Sequence, residues 1–165
     1  MKNTLTASSL ILLFLLSLTS PMATTLADVS SPTHAGRSTA CSGYVCINEV
    51  IPDPQGADTG LYPNGEWFEL SNSGGMDVDL TGWKVTTSAG KTLAFNANTI
   101  VGYQSGNSST WTISPGEYVV IARNGDSNFY MTNTGLSMTL VDNNNNTLHT
   151  ATWGAVSSGT SYEQD

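Results

Sequence analysis

The chain has 165 residues, with thirteen Asp and Glu against five Lys and Arg, for a formal charge of −8. Duplex DNA is held largely by Lys and Arg neutralising its phosphates, so direct nucleic-acid binding is not expected of so acidic a chain. The length accommodates one ordinary domain and a short leader.

Lys2 precedes the apolar run at residues 10–16, which is followed by Pro21 and small residues up to Ala27. The run is shorter than the roughly 20 apolar residues that cross a bilayer as a helix. The pattern predicts a signal peptide over residues 1–27, cut after Ala27 or, as second choice, after Ala23; a retained anchor is the competing reading. No transmembrane segment is expected once it is removed. Residues 28–42 are mostly Ser, Thr, Pro, Gly and Ala, too poor in apolar mass to order themselves, and read as a linker. Cys41 and Cys46, the only cysteines, are expected to form a disulfide in a chain that leaves the reducing cytosol. A lipid anchor on Cys41 is disfavoured because Ser38-Thr39-Ala40 offers no apolar residue three positions before it.

Beyond the linker, no stretch sustains a helical apolar period over ten residues. Short apolar runs predict strands at 44–51, 66–72, 82–87, 91–95, 110–114, 117–122, 137–142 and 147–153. Between them stand Asp53-Pro54-Gln55-Gly56, Ser73-Gly74-Gly75, Ala89-Gly90, Ser114-Pro115-Gly116 and the run from Asp142 to Asn146, residues that favour turns. The expectation is an all-β sandwich of two sheets. Alternation in Glu66-Trp67-Phe68-Glu69-Leu70 puts Phe68 and Leu70 on one face, Trp67 and Glu69 on the other. Apolar side chains on both faces of 118–121 predict a strand in the middle of the sandwich. Leu80 and Trp83 are expected to plug the core from either side of a turn at Thr81-Gly82.

Three motifs in order, "EWFELSN" at 66–72, "VDLTGWKV" at 78–85 and "ISPGEYVVIA" at 113–122, with "INEVIPDPQGAD" at 47–58 before them, carry a likeness. The chain resembles the lamin-tail domain family, an immunoglobulin-like β-sandwich found at the tail of nuclear lamins and in many exported prokaryotic proteins. The resemblance covers residues 44–164 and implies an immunoglobulin-like domain of eight to nine short strands over 43–165. The segment "AFNANTIVGYQSGNSS", between Lys91 and Trp111, is longer than the family pattern.

Carboxylates are the first candidates for chemistry. Glu66 and Glu69, three apart on a strand, lie on opposite faces and do not form a glycosidase-type pair. His34 falls in the linker and His149 reads as a surface strand residue, so no nucleophile–base couple is offered and the domain is expected to be non-catalytic. Glu49, Asp53, Asp58 and Glu66 bracket the long loop "PDPQGADTGLYPNG", and calcium takes six to eight oxygens from such groups. These four are the calcium candidates; a solvated acidic rim is the plainer alternative. Tyr62, Trp67 and Trp111 are candidate contact aromatics, whereas Trp83 and Trp153 are expected in the core. Asn107 and Asn145 begin glycosylation triplets.

Together these readings predict an exported, non-catalytic binding or scaffolding module, extracellular, at the cell surface or periplasmic, whose partner is a protein or a cell-envelope component. The alternatives are a calcium-stabilised adhesion module and an accessory domain of a longer secreted hydrolase or nuclease, the family's prokaryotic setting, with its chemistry outside these residues.

Overall fold

The computed structural model describes Cys41, residues 43–101 and residues 111–164. All belong to one compact unit running from Pro32 to Asp165. The expected signal peptide, most of the linker and Asn107 lie outside the described residues.

Eleven strands form three antiparallel sheets among these residues. The first sheet is built from β1 (Val45–Ile51), β2 (Trp67–Asn72), β6 (Ile100–Val101), β8 (Tyr118–Ala122) and β11 (Tyr162–Glu163), in the order β11-β1-β2-β8-β6. The second has β4 (Lys84–Thr87), β5 (Thr92–Ala94), β9 (Leu136–Val141) and β10 (Thr147–Trp153), in the order β10-β9-β4-β5. A third pairs β3 (Val78–Asp79) with β7 (Thr112–Ile113). All eight predicted strands are present. The three that alternation missed, β3, β6 and β11, have two residues each, too few to show a period.

The inner faces supply the core. Phe68 and Leu70 of β2, Val119 and Ile121 of β8, Val85 of β4, Met138 and Leu140 of β9 and Ala151 of β10 are all buried. β1 breaks strict alternation, since Ile47 and Val50 are three apart yet both buried. A bulge between Ile47 and Glu49 in its pairing with β2 makes this register work, because the extra residue lets two successive side chains share the outer side. Leu80 and Trp83 enter the core around Gly82, whose φ of 78° suits glycine. Asn72 takes the place of an apolar residue at the end of β2: its Nδ2 donates to the carbonyls of Met76 and Ile113, and its Oδ1 accepts from the N–H of Gly74.

Two expectations need correction. The outer face of β8 is covered only at its end: Tyr118 is 62% exposed and Val120 half-buried, while Ala122 is buried. An apolar strand here therefore lies between β2 and the two-residue edge strand β6 without being sandwiched on both sides along its length. His149 is not a surface residue but is 3% exposed, and its Nδ1 accepts the N–H of Ile47 at 3.1 Å. That bond crosses from the second sheet to the first, and a bulge between Thr147 and His149 accompanies it.

Candidate binding site

The long loop between β1 and β2, residues 52–65, folds tightly on itself. Gly60 donates to the carbonyl of Ala57 at 2.6 Å, Asn64 to Leu61 at 2.9 Å and Glu66 to Asp58 at 3.0 Å. Its glycines are required by proximity. A Cβ on Gly65 would overlap the Gly60 carbonyl, and one on Gly56 the Asn64 carbonyl. Side chains other than glycine would force these passes apart. Neighbouring segments clamp the loop: Asn124 Oδ1 accepts the N–H of Tyr62 at 2.8 Å, Gly159 donates to the Asp53 carbonyl at 2.7 Å, and the Ser158 hydroxyl donates to the Pro54 carbonyl at 3.1 Å.

Under the loop lies a buried charged pair. Glu66, 1% exposed, accepts from Arg123 Nη1 at 2.8 Å through Oε2 and from the N–H of Met131 at 3.0 Å through Oε1. The Arg123 N–H donates to the Glu66 carbonyl, and Arg123 Nε to the carbonyl of Asp126. Burial pushes the Glu66 carboxyl up to about 7, against the opposing pull of the Met131 N–H and Arg123. Each group therefore satisfies the other, as an interior charge requires, and the pair fixes the loop's exit to the end of β8.

Above the pair, the first residue of β2 turns its side chain outward. Trp67 stands opposite Ile51 in the β1–β2 register, and Tyr62 meets it edge to face, with ring centroids 5.8 Å apart and planes at 70°. A notch of about 290 Å³ opens beside them, lined by Ile51, Pro54, Gln55, Pro63, Asn64, Trp67 and Gly159. Its walls are two prolines, an isoleucine and an indole, with two side-chain amides and no charged group.

The calcium candidates share this end of the sandwich without converging. Glu66 is engaged by Arg123 and Met131. Asp58 is exposed and Asp53 half-buried, and the backbone carbonyls of both are taken by Glu66 and Gly159. Glu49 lies on β1, opposite Glu69 on one side and Glu163 on the other. Among the described residues, no group of three or more His, Cys, Asp or Glu side chains is placed to hold a metal ion. Glu69 is raised above the ordinary carboxylate value, first by burial and also by the charge of Glu49, while its hydrogen bond from Asn48 Nδ2 lowers it.

The aromatic candidates separate. Tyr62 and Trp67 come together; Trp111 is half-buried against the core beside β7, its carbonyl accepting from the Leu80 N–H. Trp83 and Trp153 are core residues. Cys41 and Cys46 form a disulfide. Asn145 is exposed in the β9–β10 turn at φ 64°, and its Oδ1 accepts from Lys84 Nζ. Sequence reasoning did not single out Gln55, Asn64 or Gly159, because two amides and a glycine in loops carry no pattern until the chain brings them beside Trp67.

Sheets of these orders, closed round one apolar core with Greek-key-like crossovers, define an immunoglobulin-like β-sandwich. The Lamin Tail Domain family matches residues 38–155, and the chain belongs to that family. No curated protein matches the sequence. Among solved structures the chain is similar to the archaellum periplasmic stator protein FlaG from Sulfolobus acidocaldarius, with 18% identity over 65% of this chain and 96% of that chain and a TM-score of 0.37.

Proposed function

We propose that the chain is an exported, non-catalytic module that binds a protein or cell-envelope component through the notch at the loop end of its sandwich. One observation carries this reading: an aromatic pair, Tyr62 of the loop and Trp67 of β2, stands at the rim of a concave site, and the loop's backbone is clamped by two separate segments, Asn124 and residues 158–159. A pre-ordered loop loses little entropy on binding, and aromatic side chains supply large contact area at low rotamer cost. Export is supported by the apolar run at residues 10–16 and by the disulfide, which persists in oxidising compartments.

The test is co-sedimentation of the purified protein with isolated cell envelopes of its own source. The wild type is expected in the pellet and Trp67→Ala in the supernatant. Equal partition of the two would remove the notch from the function.

A further inference from the structure

The geometry points to a neutral glycan as the notch's ligand: a pyranose ring laid on Trp67, with its hydroxyls held by the amides of Gln55 and Asn64. This deepens the binding reading above and rests on it.

The lining decides the chemistry. A sugar ring has an apolar face of C–H bonds and an edge of hydroxyls that both donate and accept. The π face of an indole suits the first. Side-chain amides, with two donors and an acceptor each, suit the second. Trp67 is half-buried, so part of its ring is open to the notch. Gln55 and Asn64 are both exposed, and their side-chain amides make no hydrogen bond to the described residues. Ile51, Pro54 and Pro63 complete a dry wall on which nothing charged projects. A volume of about 290 Å³ is near the lower limit of small-molecule sites, which fits one or two sugar units.

Two other ligand classes fit less well. A peptide added as a β-strand needs an open strand edge, but β1 is already flanked by β2 and β11, and residues 158–159 hydrogen-bond along 53–54 beyond it. An anionic ligand would meet no basic side chain in the lining, and Asp53 and Asp58 belong to the same loop. Gly159 sets the position of one amide. A Cβ there would meet Gln55 Cγ at 2.8 Å and Nε2 at 2.9 Å, and its φ is 76°, so the amide rests on the glycine.

Affinity gel electrophoresis of the disulfide-bonded protein tests this, using soluble neutral polysaccharides with hexose, pentose and N-acetylhexosamine backbones. Retardation by at least one is expected, with a Kd on the order of 0.1–1 mM for a shallow single site. Trp67→Ala and Gln55→Ala are expected to lose it at least tenfold. Tyr118→Ala, an exposed aromatic outside the notch, is expected to keep it. Gln55 is exposed, so its variant probes binding without disturbing the core. Retardation that survives Trp67→Ala and Gln55→Ala overturns the assignment. No retardation by any backbone, alongside Trp67-dependent envelope binding, overturns the glycan and leaves the module reading standing. Failure in both experiments overturns both.

Discussion

Glu66 and Arg123 meet at 2.8 Å with almost no solvent contact, joining the residue before β2 to the residue after β8 beneath the notch. The pair is a structural clamp, and removing one partner strands the other. Arg123→Met is expected to destabilise the fold by about 3–5 kcal/mol at pH 8, where Glu66 is ionised. The loss should be smaller at pH 5, where the carboxyl is neutral. Urea unfolding at the two pH values measures the difference, and equal losses would show that the carboxylate charge plays no part.

The raised carboxyl also sets the pH dependence. Glu66 moves from an ordinary 4.5 in the unfolded chain to about 7 in the fold, so between these values the folded state binds the extra proton. Its contribution is fully present below about pH 4.5 and is lost as pH rises through 7. Glu69 is shifted in the same direction. Glu66→Gln is expected to flatten the fall in stability between pH 5 and 8 by roughly 1–3 kcal/mol, since each tenfold change in proton affinity is worth about 1.4 kcal/mol. An unchanged slope in the variant would assign the pH response elsewhere.

Glu49 stands between Glu69 and Glu163 across three adjacent strands. Like charges directly opposite each other destabilise a sheet, so Glu49→Gln is expected to raise stability by roughly 0.2–1 kcal/mol and to bring the Glu69 carboxyl down. Thermal unfolding gives the first quantity and carboxylate NMR titration the second. A loss of stability would mean that Glu49 makes a favourable contact that outweighs the repulsion.

Calcium is tested by melting the protein with the ion and with chelator. A ligand bound only by the native state raises stability by RT ln(1 + [L]/Kd). With Glu66 committed to Arg123 and Glu49 on β1 outside the loop, little change is expected. A clear rise removed by Asp58→Ala would show that the 52–65 loop closes round an ion.

The sequence alone determined eight of the eleven strands, the turns and the family, because these depend on local features. Alternation in 66–72, glycines at positions that need positive φ, and three motifs in order can all be read within short windows. Cys41 and Cys46 were legible for the same reason, lying five apart in a chain with no other thiol. Tertiary structure decided what depends on distant segments. Glu66 reads as the first residue of a strand and a calcium candidate until Arg123, 57 residues on, is folded against it. His149 reads as a surface strand residue until β10 packs; it shares the inner face with Ala151 and Trp153, and its Nδ1 there meets the Ile47 N–H, 102 residues away. The notch joins the 52–65 loop to Gly159. None of these pairings leaves a period or spacing in the chain, since burial and hydrogen bonding across sheets are set by which strands become neighbours.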